Sequence, residues 1–266
     1  MPFCHLWYKN FTSPVVSPVT NYQVVGSTNG GLGQDNLLYP HILSCIPPDS
    51  VKHLVPMSES LVDNGCPKNK PSNNLRVFYQ TQENEEKQGF AVCSKGLSQL
   101  EDVSLKIIEW IELLRSLGVD KISLHILAVH PNVMKVEKMC IKVSKFLDLT
   151  FQVFEYYESL GVLEMREITL SGSQPNDPVE TNKFLYQGKN RAQKHANERL
   201  SINDCFLRNM HKYKYIACID IDEIIVPKNV SNWSEMMELV EGQTKDKVEQ
   251  IQIHHPAVVL LVNLLF

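Results

Sequence analysis

A chain of 266 residues with 43% hydrophobic composition has enough apolar material for a core of its own, which excludes wholesale disorder. Its formal net charge of -4, with no block of Lys and Arg, excludes a nucleic-acid binder whose affinity rests on neutralising phosphates. None of the seven cysteines forms a Cys-x-x-Cys pair, so structural zinc has no support, and the odd count leaves a thiol over after internal pairing.

Residues 1–88 are rich in Pro, Ser and Asn, with turn signals at Ser13-Pro14, Ser17-Pro18, Gly30-Gly31, Pro47-Pro48 and Asn64-Gly65. They predict an irregular N-terminal extension or stem, with a little β structure near Leu75-Arg76-Val77-Phe78-Tyr79 and a solvated connection at Glu83 to Lys87. Sequons at Asn10-Phe11-Thr12, Asn229-Val230-Ser231 and Asn232-Trp233-Ser234 suit a glycoprotein of the secretory pathway. Met1 to His5 hold no basic region followed by an apolar run, and the run from Ala257 to Phe266 is too short to span a bilayer.

From Phe90 the pattern changes. Phe90 to Cys93 reads as a short buried strand, followed by a helix over 101–117 with apolar positions Leu105, Ile108, Ile111, Leu114 and Leu117. Gly118 stands where a helix C-cap belongs. Lys121 to Leu127 reads as a strand and a helix is expected after Pro131, while Val136 to Gln152 interrupts the rhythm like an insertion. A strand over Val162 to Leu170, a loop with Gly172, Pro175 and Pro178, a helix over 190–210 and a strand over Tyr215 to Ile221 follow. Alternating strands and helices predict an α/β domain over 89–253, a mostly parallel sheet flanked by helices, with 254–266 an atypical apolar tail.

The chemistry concentrates at Tyr215-Ile216-Ala217-Cys218-Ile219-Asp220-Ile221-Asp222-Glu223, where an apolar strand delivers three carboxylates at its end. Ligands of open α/β sheets bind beyond the carboxyl ends of the strands. In an extended chain Asp220 and Asp222 face the same way, and two hard oxygen ligands suit Mg2+ or Mn2+ holding a diphosphate. The preceding helix adds Lys189, Arg191, Lys194, His195, Asn203, Asp204 and Arg208, of which Arg191 and Asp204 are read as nucleotide contacts. The plain alternative is a solvated acidic turn and a solvated helix face. His125, His130, Trp110 and Trp233 read as structural residues.

Several segments, taken in order, resemble glycosyltransferase family 92. They are Val92-Cys93-Ser94-Lys95-Gly96-Leu97, Ile108-Glu109-Trp110-Ile111-Glu112-Leu113-Leu114 with Leu117-Gly118-Val119-Asp120-Lys121, and His130-Pro131-Asn132-Val133. Then come Asn203-Asp204-Cys205, Arg208-Asn209-Met210, Tyr213-Lys214-Tyr215, Ile219-Asp220-Ile221-Asp222-Glu223 and Pro227. The resemblance implies a GT-A-like (Rossmann-like) domain. It further implies a type II Golgi membrane enzyme that transfers galactose from UDP-galactose to a glycan acceptor with inversion, its anchor lying outside this chain.

By the family pattern Asp222 binds Mn2+ (or Mg2+), Asp220 contacts the metal or the nucleotide, and Cys93, Ser94 and Lys95 lie near the nucleoside. An inverting transferase needs a carboxylate base. The family places it well downstream of the D-x-D motif, so the domain is expected to be incomplete at the C-terminus and no catalytic residue is assigned. A non-catalytic nucleotide-sugar or glycan-binding protein on the same fold is the main alternative. A phosphatase of the haloacid dehalogenase type is disfavoured, because Glu223 follows the motif and other strands precede it.

Overall fold

The computed structural model describes residues 2–25, 38–63, 71–79, 87–129, 156–187, 191–244 and 258–260. The chain divides into two compact units, residues 1–28 with 39–81 and residues 29–38 with 82–266.

The first unit is an antiparallel sheet of β1 (Phe3–Trp7), β2 (Val15–Val24), β3 (His41–Cys45), β4 (Ser58–Val62) and β5 (Leu75–Arg76), in the order β3-β2-β1-β4-β5. Among the described residues, the stretch expected as an irregular extension over 1–88 thus holds a five-stranded sheet between Phe3 and Arg76. Ser17-Pro18 marks no turn but lies inside β2, where Ser17 and Val19 are buried while Pro18 and Thr20 face solvent. Buried Ser17 satisfies its hydroxyl by donating to the Ile46 carbonyl at 2.7 Å. Cys4, Leu6, Tyr8, Val19 and Val51 form the core, and a disulfide joins Cys4 of β1 to Cys45 of β3.

The second unit runs β6 (Gln88–Cys93), β7 (Leu97–Gln99), α1 (Ser104–Ser116), β8 (Lys121–Val129), β9 (Leu163–Glu167), α2 (Pro178–Asn182), α3 (Arg191–Asn209), β10 (Tyr213–Cys218), α4 (Trp233–Thr244) and β11 (Val258–Leu260). A π-helical turn over Lys183–Gln187 continues α2. β10 pairs with β6 and β11, and β8 pairs with β6, β7 and β9, all in parallel. Ile122 of β8 pairs with Val92 on one side and Leu163 on the other, as Ile126 does with Leu97 and Glu167. β6 and β7 therefore follow one another along the same edge of β8, and residues 94–96 form the break between them.

Both faces of this sheet are covered, as parallel sheets require. Phe90 and Val92 of β6 join Ile107, Trp110, Ile111 and Leu114 of α1 and Trp233 of α4 in the main core. Ala91 and Cys93 point the other way and pack with Cys205 of α3 and Ile216. Within α1 the buried stripe is Ile107, Trp110, Ile111 and Leu114, whereas Leu105, expected in the core, is 78% exposed. Gly118 closes the helix at φ +90, its N–H donating to the Arg115 carbonyl at 3.0 Å.

The helix expected after Pro131, the Val136 to Gln152 stretch, Lys189 and the expected tail apart from Val258–Leu260 lie outside the described residues. Among the described residues no helix is long and apolar enough to cross a membrane.

Candidate functional site

β10 ends at Cys218, short of the expected Ile221, and Asp220 to Glu223 form a turn. The Glu223 N–H donates to the Asp220 carbonyl, and the Asp220 N–H donates to the Glu223 carboxylate, both at 3.0 Å. The extended-chain argument that set Asp220 and Asp222 on one side is corrected accordingly: the two residues lie in a turn, so strand alternation does not govern where their carboxylates point. Trp110 braces this turn from α1, its indole N–H donating to the Glu223 carbonyl at 2.8 Å. Asp220 is half-buried, whereas Asp222 is exposed and, among the described residues, has no hydrogen bond or ion pair.

Across from the turn, the break between β6 and β7 presents Ser94, Lys95 and Gly96. Its backbone is fixed on both sides of the lysine. The Ser94 N–H donates to the Ser123 carbonyl at 3.3 Å, and the Gly96 N–H donates to the Ser201 hydroxyl of α3 at 2.8 Å. Gly96 is closely packed: a Cβ there would stand 2.8 Å from Leu127 Cδ1, so that side chain would have to shift. Lys95 reaches from this frame to Asp220, its ammonium in direct contact with Oδ2. Burial opposes the charge on Lys95, but the hydrogen bond and field of Asp220, with Glu198 and Tyr186 behind it, hold the ammonium above the usual lysine value.

Glu198 and Tyr186 were not singled out from the sequence, although both contribute to this cluster. Glu198 lies on the same face of α3 as Ser201, whose hydroxyl donates to the Glu198 carbonyl at 2.9 Å. Its carboxylate lies 3.7 Å from the Lys194 ammonium and 3.0 Å from His195 Nδ1. Lys194 also sits over the Tyr186 ring at 4.2 Å. The i to i+4 spacing of Lys194 and Glu198 was the available signal.

Other expected contacts are placed differently. Cys93 is fully buried and disulfide-bonded to Cys205, so only its backbone serves the strand end, its carbonyl accepting from the Ile219 N–H at 3.2 Å. The Asp204 carboxylate is engaged by His125 Nε2 at 2.9 Å and by Arg208 Nε at 2.8 Å. Burial works against its charge, yet these two partners override it and hold the carboxyl well below the usual range. Asp204 thereby fixes α3 to β8. Arg191 is the first residue of α3, and its side chain lies outside the described residues. Trp110 and Trp233 are both buried, as expected of packing residues.

The candidate donors at the turn are hard, the carboxylates of Asp220 and Asp222, and among the described residues no thiol or imidazole is grouped with them. That composition fits Mg2+ or Mn2+, which take oxygen ligands and keep several positions for water and phosphate. Among the described residues the one convergent group of three candidate ligands is Cys4, Cys45 and Glu59, and its two cysteines are joined as a disulfide.

Neither curated proteins nor solved structures give a match to this chain. A family model does: that of glycosyltransferase family 92 matches residues 88–260, the stretch that carries the Lys95 break, α3 and the Asp220 turn. With well over half of its length covered by that match, the chain belongs to glycosyltransferase family 92.

Proposed function

We propose that this glycosyltransferase binds a nucleotide sugar, with a divalent cation, at the Asp220-Ile221-Asp222 turn and passes a hexose to a glycan acceptor. The observation that carries the proposal is the acidic turn at the carboxyl end of β10, facing a lysine at the end of neighbouring β6. Crevices at the carboxyl ends of parallel strands are where α/β sheets take their ligands, and a GT-A-type arrangement of the second unit is part of the proposal.

Asp222, exposed and uncommitted, is the metal ligand in this scheme. Half-buried Asp220 is its partner or a contact to the nucleotide. A Mn2+ or Mg2+ held there supplies a Lewis acid for the leaving nucleoside diphosphate. The protein's own groups position the donor: the Lys95 ammonium offers a cation to the diphosphate, and the Ser94–Gly96 backbone forms a fixed wall beside it. Family resemblance favours UDP-galactose as donor, an inverting transfer, and a Golgi-luminal site of action. The sequons at Asn10, Asn229 and Asn232 agree with a luminal location. The carboxylate base that inversion needs is not assigned to any residue.

The test is calorimetric titration of UDP-galactose into the chain, with and without Mn2+, beside Asp222→Ala. Binding that requires Mn2+ and disappears in the variant is the expected result. Absence of binding in both conditions, with a folded chain, sinks the proposal.

A further inference from the structure

Lys95 and Asp220 follow the ends of neighbouring parallel strands, each two residues beyond the registered pair Cys93 and Cys218. Three features of the lysine make its head movable while its base is not. The flanking backbone is held by the Ser94 N–H bond to Ser123 and the Gly96 N–H bond to Ser201. The head sits on a flexible four-carbon stem. Its side chain is also 34% exposed, against 27% for Asp220, so the ammonium can leave the carboxylate without disturbing packed core.

The charges around it give that movement a cause. Asp220, Asp222 and Glu223 crowd one turn, and without a metal Lys95 neutralises only Asp220. A divalent cation entering at Asp220 and Asp222 puts two positive charges beside the ammonium, and like charges at contact distance repel strongly in a partly dehydrated site. Glu198, one turn before Ser201 on α3, whose hydroxyl holds the Gly96 N–H, adds a negative field at Lys95 that opposes expulsion of the displaced head.

From this we infer that Lys95 is an exchangeable counter-ion: it occupies Asp220 when no divalent cation is present and gives the carboxylate up when one binds, turning to the donor diphosphate. The inference rests on the proposed metal and donor site and adds a positioning role that the site's composition alone does not specify.

The experiment measures Mn2+ binding alone, then UDP binding at saturating Mn2+, in wild type, Lys95→Met, Lys95→Arg and Asp222→Ala. Lys95→Met keeps the apolar stem and removes the competitor. It is expected to bind Mn2+ about three- to tenfold more tightly and UDP about tenfold more weakly. Lys95→Arg, which retains the charge, is expected to stay near wild type in both. Opposite signs for the two ligands are the signature, since a lysine that only supports the fold would weaken both. Unchanged or weaker Mn2+ binding in Lys95→Met, with Asp222→Ala still abolishing it, overturns the counter-ion role and leaves the metal site standing. No Mn2+ binding to wild type, or binding indifferent to Asp222→Ala, overturns the site and this inference together.

Discussion

Cys93 and Cys205 form a disulfide that fastens the carboxyl end of β6 to the later half of α3, across 112 residues of sequence. Lys95 follows Cys93 by two residues, and Glu198 lies on α3 about two turns before Cys205. The bridge therefore sets the distance between the two elements that carry the charge cluster. A loop of this length gives a closure-entropy contribution of about 5 kcal/mol. The double variant Cys93→Ala, Cys205→Ala is expected to lose stability of that order in guanidinium unfolding, and to bind UDP with Mn2+ less tightly. An unchanged unfolding midpoint would show that packing of Ala91, Ile216 and α3 holds this face without the bridge.

Trp110 joins the core to the acidic turn. Its ring is buried against α1's neighbours, and its N–H is spent on the Glu223 carbonyl. Trp110→Phe keeps most of the apolar volume and removes that donor, at an expected cost of about 1–2 kcal/mol in stability. Mn2+ affinity is expected to fall as well, because the turn that presents Asp220 and Asp222 loses its brace. Calorimetry and thermal unfolding on the same preparation separate the two effects. A loss of stability with unchanged Mn2+ affinity would mean that the turn holds itself, through the bonds between Asp220 and Glu223.

The acidic cluster was legible in sequence because three carboxylates follow an apolar strand, and α1 because Gly118 marks its end. The point where β10 stops was not. Ile219 and Ile221 prolong the apolar alternation, and it is the pair of bonds between Asp220 and Glu223 that shows the chain has turned. The approach of Glu198 to Lys95 was equally hidden. It depends on α3 being set against β6 by the Cys93–Cys205 bridge and the Gly96–Ser201 bond, and neither has a local sequence signal. The N-terminal sheet was obscured because Ser and Pro residues that commonly mark turns alternate in and out of a strand at Ser17 and Pro18.

Gly118 supplies a contrast, a position expected to matter for stability alone. At φ +90 it adopts a conformation that a side chain disfavours, and the nearest atom to an added Cβ is 4.0 Å away, so steric contact adds little. Gly118→Ala is expected to cost about 1–2 kcal/mol through backbone strain. Mn2+ and UDP affinities should stay at wild-type values in the folded variant. A drop in metal affinity would reveal coupling between the end of α1 and the turn braced by Trp110.

Asp204 gives the site's scaffold a pH dependence with a definite sign. His125 and Arg208 hold its carboxyl below the unfolded value, which lies near 4. A depressed folded-state pKa means that the folded protein keeps its carboxylate charged where the unfolded chain has begun to bind a proton. The stabilisation is therefore complete above about pH 4 and is lost as pH falls through the folded-state value. The side chain is 35% exposed, so solvent screening limits the effect, and Asp204→Asn is expected to cost about 1–2 kcal/mol at pH 7. Below pH 4 the wild-type curve should fall more steeply than that of the variant, and the two should converge. Denaturant unfolding from pH 7 down to pH 2.5 checks this directly. Parallel curves would mean that α3 is fixed to β8 by packing and by the Cys93–Cys205 bridge, with the charge on Asp204 contributing nothing measurable.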